Sequence, residues 1–249
     1  MSIDTLETTA ANGNQPTISD FKLASPLNFS HRIQDLGLVL IVGLSMPILG
    51  VIYSLLGGTH SAEPFQQRFR LVTGLVFEAI ALLMLAYVLS RQGRIWKDIG
   101  LAFRWRDPLV GIGLIISCSV IVVVIYYPFQ LLYRQLTGHF LIPEHIHFGF
   151  GISVVSVAFA CLNPFFEELI VRAYVMSEVT NLGGARWLAV VISVALQISY
   201  HLYQGVANVI TLTIIFIVFS IYYAYTRRIM PVILAHFAYD LFALVKGAS

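Results

Sequence analysis

Seven long apolar stretches, at about 34–56, 71–90, 108–133, 150–176, 186–204, 207–225 and 230–247, decide what this chain can fold into. Each approaches the roughly 20 apolar residues needed to cross a hydrocarbon core of about 30 Å, although several carry polar interruptions. Backbone groups that find no water must pair within their own segment, which forces helix, and the alternating pattern of a membrane β-barrel is absent from the sequence. The expected fold is therefore all-α: a polytopic transmembrane helix bundle of about seven spans, with an eighth left open. Hydrophobic residues make up 58% of the chain, charged ones only 11%, and the mean hydropathy is +0.81. Soluble domains carry about 25% charged residues, so lipid is the expected partner of most of this surface.

The formal net charge is only +2 and the basic residues punctuate the apolar runs instead of lining one face, so no nucleic-acid partner is expected. They concentrate after the second run, as Arg91, Arg94, Lys97, Arg104 and Arg106. The positive-inside rule makes that connection cytoplasmic. The same path puts Lys22, Arg32, Arg172, Arg186, Arg227 and Arg228 on the cytoplasmic side, against Arg68, Arg70, Arg134 and Lys246 outside. The N-terminus is expected in the cytoplasm. Residues 1–32 are polar, lack a charged-then-apolar opening and read as a flexible tail, not a cleavable signal peptide. Residues 33–149 then supply the N-terminal transmembrane helices, and residues 150–247 a helical core rich in polar exceptions. Cys118 and Cys161 lie within apolar runs and read as buried small side chains without a disulfide.

An ionisable side chain at bilayer depth costs at least about 2.5–3.5 kcal/mol on insertion scales, so each needs a partner or a purpose. Most of them here fall in the last hundred residues: Glu167, Glu168, Arg172, His201, His236 and Asp240. In the run from Asn163 to Arg172, Pro164 lacks an amide hydrogen and kinks a continuing helix or opens a new one. Glu168 and Arg172 stand at i, i+4 on one helix face, where carboxylate and guanidinium pair. Glu167 points about 100° away and is left over. His236 and Asp240 repeat the i, i+4 spacing, which allows imidazole and carboxylate to hydrogen-bond or share a ligand.

Read singly, these are an inserted ion pair and interhelical hydrogen-bonders. Read together, they offer what amide hydrolysis in a dry pocket requires: a buried carboxylate, imidazoles near it and a means of holding water. Two routes are open. His201, His236 and a carboxylate, Glu167 or Asp240, could hold a zinc ion that acidifies water. Alternatively, Glu167 with His201 activates water without metal while His236 steadies the oxyanion. An ionised Asp240 cannot donate to an oxyanion and fits better as a metal ligand or as the group orienting His236. His-Glu-x-x-His and Gly-x-Ser-x-Gly are both missing from the sequence. A different class of function uses the same charges as a transporter's relay, or as the ligand site of a bacteriocin-immunity-type binding protein without proteolysis.

The ordered set resembles the three motifs of the CAAX prenyl endoprotease and bacteriocin-processing (CPBP, or Abi) family of intramembrane proteases, over roughly residues 150–245. Glu-Glu-x-x-x-Arg stands as Glu167, Glu168 and Arg172, the second motif ends at His201, and His-x-x-x-Asn/Asp stands as His236 and Asp240. Gln197 departs from the Phe usual in the second motif, which alters packing or polarity beside His201. The resemblance implies an intramembrane endopeptidase acting on membrane-associated peptides or proteins, lipidated or not, in the plasma membrane of a prokaryote. It implies Glu167 as the water-activating residue, His201 as its partner, His236 and Asp240 completing the site, and Glu168 and Arg172 supporting it. It leaves metal and metal-independent chemistry both open.

Glu78, inside the second run, reads as a neutral or hydrogen-bonded carboxyl and not as a catalytic one. His145 and His147 read as part of a solvated connector. On a simple seven-span path His201 falls near the outer end of its helix and His236 near the inner end of its own. Convergence of the two requires helices that are tilted, broken or re-entrant, or bounded differently.

Overall fold

The computed structural model describes residues 29–56, 64–141 and 152–248. The N-terminal segment up to residue 28 and the pair His145 and His147 lie outside them. Every predicted span is a helix: α1 (Phe29–Leu55), α2 (Pro64–Arg91), α3 (Asp107–Thr137), α4 (Val154–Asn181), α5 (Arg186–Ser199), α6 (Val206–Thr226) and α7 (Met230–Ala248). No strand occurs among the described residues. Within α1, α2, α3, α4 and α6 the helix is long and apolar enough to cross a membrane. The protein is thus an integral, multi-pass membrane protein built as an all-α bundle.

Helix α4 lies at its centre. Half of its apolar window is buried by the other helices, against 17–28% in the other four long spans. Every residue from 166 to 179 is buried, as a helix that is apolar nearly all round must be when other helices enclose it. The outer helices leave Ile41, Leu83 and Val124 exposed, the surface that lipid covers. Cys118 is buried, whereas Cys161 is exposed on this apolar surface instead of being buried as expected; both are free thiols. Helix α4 is also irregular. Pro164 cannot donate to the preceding turn, and Glu168–Tyr174 widen into π-helical turns immediately afterwards, a distortion that recurs at functional sites.

Helix α2 packs beside α4, with Phe77 and Phe166 meeting edge to face at 6.0 Å between ring centroids. Gly74 permits the approach, because a Cβ there would stand 3.0 Å from the ring of Phe159. At one end of the bundle the connection from α2 to α3 docks on the turn between α6 and α7. Ile229 N donates to Gly100 O at 3.2 Å, and the Tyr223 hydroxyl donates to Ile99 O at 3.0 Å. Gly100 is required twice over, for its φ of +88° and because a Cβ would collide with the Arg227 carbonyl. This docking fixes where α7, and so His236, begins.

Helix α5 resolves the question of depth. It is 14 residues long, about 21 Å, too short for a core of about 30 Å. The expected span to residue 204 stops at Ser199, a 3₁₀ turn over Leu202–Gln204 follows, and Gly205 at φ +79° starts α6. His201 sits in this break, so it does not have to stand at the far membrane face.

Candidate active site

Adjacent carboxyls on α4 have opposite surroundings. Glu168 is fully buried, forms an ion pair with Arg172 and accepts from His236 Nδ1 at 2.8 Å. Arg172 is itself fully buried and donates from Nε to Ser220 Oγ at 3.2 Å and from Nη2 to Gln197 Oε1 at 2.5 Å, with the Phe219 ring 5.5 Å away. A buried ion pair survives only with further partners, and here α5, α6 and α7 supply them to Nε and Nη2 of Arg172 and to Oε1 of Glu168. Glu167 is buried too, yet its one hydrogen bond among the described residues comes from the Tyr200 hydroxyl at 3.1 Å. The leftover position read from the helix geometry is therefore a carboxyl with spare acceptor capacity.

The imidazoles are held in defined orientations. His201 Nδ1 lies 2.8 Å from the carbonyl of Gln197, one turn earlier on α5. A carbonyl only accepts, so Nδ1 carries the proton and Nε2 of the neutral ring presents a lone pair. Phe216 and Tyr200 wedge the ring, with centroids 5.1 and 4.7 Å away. His236 gives Nδ1–H to Glu168 and turns Nε2 toward Asp240 Oδ1 at 3.5 Å. Asn163, just before Pro164, donates to the other oxygen of Asp240 at 3.2 Å. Glu167, His201 and His236 all lie within electrostatic reach of Asp240. The structure thus brings the acids of α4 and the His–Asp pair of α7 into one locality with the histidine of the α5–α6 break.

Gln197 answers for the departure in the second motif. Its side chain is an acceptor for Arg172 and its main chain is the acceptor for His201, the first of which a phenylalanine could not supply. Tyr200, Asn163 and Ser220 complete the site without having been singled out from the sequence. Tyr200 and Asn163 adjoin the motifs, but a tyrosine near a helix end reads first as an interfacial anchor, and only packing reveals the carboxylate it faces.

Glu167, His201, His236 and Asp240 are the donors that a metal would use. Among the described residues, no three or more His, Cys, Asp or Glu side chains are gathered as a metal site. His201 Nδ1 is bonded to a carbonyl, which leaves Nε2 open, and both ring nitrogens of His236 face carboxylates. A metal held by them would acidify a bound water; no step below passes through one.

Residues 149–242 match the family described as type II CAAX prenyl endopeptidase Rce1-like. No curated protein and no solved structure matches the chain. The matched segment takes in α4, α5, α6 and most of α7, the helices that carry Glu167, Arg172, His201, His236 and Asp240. Residues 149–242 of this membrane protein are thus similar to a Rce1-like CAAX endopeptidase domain, consistent with a protease of the CPBP family.

Proposed function

We propose that the protein cleaves peptide bonds of membrane-associated or prenylated substrates within the bilayer, with Glu167 as general base and His201 as its partner. The observation that carries this reading is the contrast between neighbours: Glu168 is saturated by Arg172 and His236, while Glu167 is buried with only the Tyr200 hydroxyl on it. A carboxylate needed to hold a fold would be expected to have a cation; one that must take a proton is better served by open lone pairs.

In the proposed reaction a water molecule lies between Glu167 and the Nε2 lone pair of His201. Glu167 takes one proton, and the oxygen attacks the scissile carbonyl. The negative charge on the tetrahedral intermediate is met by His236, whose Nδ1–H stays on Glu168 while its Nε2–H turns from Asp240, held by Asn163, to the oxyanion. Glu167 then returns its proton to the departing amine as the C–N bond breaks. Arg172 acts at a distance, fixing Glu168 and through it the His236 ring. Basic residues gather at the end of the bundle where Arg228 meets Asp107 and Arg94 meets Glu178; by the positive-inside rule this end is cytoplasmic.

The test uses purified protein in detergent and a farnesylated CAAX-box peptide with a fluorophore–quencher pair. Glu167→Ala is expected to lower kcat by about 10³-fold, with unchanged elution on size exclusion. Full cleavage by that variant would remove Glu167 from the mechanism. Uptake of a solute by proteoliposomes that depended on His201, without any proteolysis, would instead make the charges a transport relay.

A further inference from the structure

One buried carboxyl near the site belongs to none of the three motifs and lies outside the matched segment. Glu78, on α2, is only 4% exposed, and its Oε2 has no hydrogen-bond partner among the described residues. It is one residue from Phe77, whose ring packs on Phe166, itself next to Glu167. Glu167, His236 and Asp240 are all within its electrostatic range. No Lys or Arg is paired with it among the described residues, whereas Asp35, Asp107, Glu168 and Glu178 each have an arginine.

A buried carboxyl oxygen without a partner costs roughly the full desolvation of that group, and a chain retains it where a partner arrives. Glu78 has no cation paired with it among the described residues and lies within electrostatic range of two further carboxyls and of an imidazole already turned to Asp240. A carboxyl buried at bilayer depth without a cation is held as the neutral acid, which is a donor. The visitor that needs a donor is the peptide substrate. Its main-chain carbonyls leave water to reach Glu167 and must be bonded again inside the protein.

We propose that Glu78 is a substrate-binding residue, whose protonated carboxyl donates a hydrogen bond to a main-chain carbonyl of the peptide beside the scissile bond. This rests on the reading of Glu167 as the base. It gives the N-terminal helices, which lie outside the matched segment, a part in holding the substrate.

Binding and turnover separate the two ideas. Affinity for the uncleaved farnesylated peptide is measured in the Glu167→Ala background, with Glu78 intact, as Glu78→Gln and as Glu78→Leu. The amide keeps a donor and is expected to bind within about threefold of the parent, while leucine weakens binding about tenfold to a hundredfold. On active protein the same loss should appear in kcat/KM. Glu78→Met replaces leucine if that variant elutes as aggregate. Equal affinity of the glutamine and leucine (or methionine) forms overturns the proposal, and so does a glutamine form as weak as leucine, since donation would then not be the role. Cleavage by Glu167→Ala itself would instead count against the base assignment, and the binding comparison is then read with the same peptide N-methylated at the scissile amide, which keeps its carbonyls and resists cleavage.

Discussion

Two buried glutamates on α4, Glu167 and Glu178, are 11 residues or about three turns and 16 Å apart, and their surroundings could hardly differ more. Glu178 is gripped by Arg32 from α1 at 3.1 Å, by Arg94 from the connection after α2, and by Asn181 at 3.1 Å. The network continues: Arg94 reaches Gln92, Gln92 reaches Asp35 and Tyr174, and Arg91 closes on Asp35 at 2.6 Å. It staples α1, α2 and α4 at one end of the bundle. Glu167 has a tyrosine hydroxyl and, among the described residues, no ion pair. Burial alone therefore does not separate the two carboxyls; the count of their satisfied lone pairs does.

Several substitutions would break or sharpen that contrast. The largest effect is expected at Glu167, where even Glu167→Gln, which keeps the shape and can still bond Tyr200, should lose about 10³-fold in kcat with an unchanged melting temperature in detergent. A large fall in melting temperature would place Glu167 with the structural carboxylates. Next is Arg172→Met, which strands fully buried Glu168 and should cost about 3–5 kcal/mol of stability, read as a collapse of the thermal transition before any activity is scored. A well-folded Arg172→Met protein would show that the Glu168 pair is dispensable.

Glu178→Ala should cost somewhat less, about 2–3 kcal/mol, because Arg32 and Arg94 keep side-chain exposures of 22% and 14% and recover part of their hydration. Its folded fraction is expected to cleave with the parent kcat, and a kcat defect there would link the two clusters. The smallest effect belongs to Tyr200→Phe. Loss of one hydrogen bond to Glu167 should reduce kcat about tenfold and leave KM and the melting temperature near the parent values. Unchanged kcat would make Tyr200 a packing residue only.

Much of this was readable before any coordinates. The seven apolar runs gave the helices because a bilayer allows a spanning segment no other way to bond its backbone. The Glu168–Arg172 pair and the unpaired Glu167 followed from helical spacing, which survives the π-helical turns of Glu168–Tyr174. The end of α5 at Ser199 was not readable, since no proline or glycine stands between Arg186 and Gly205 to mark it. There the turn is set by Gly205 and by what packs on His201, namely Phe216 and the Gln197 carbonyl.

The sequence by itself determined which segments leave water and which ionisable groups go with them, because transfer into lipid depends on composition over a local window and on spacing along one helix. Tertiary structure alone decided who meets whom. Nothing in the spacing of Asp35 or Glu178 names the arginines that hold them, and nothing beside Tyr200 or Asn163 names the carboxyls they meet. Such pairings join residues tens to more than a hundred positions apart, and only the packing of helices against one another fixes which buried charge is neutralised and which is left free to react.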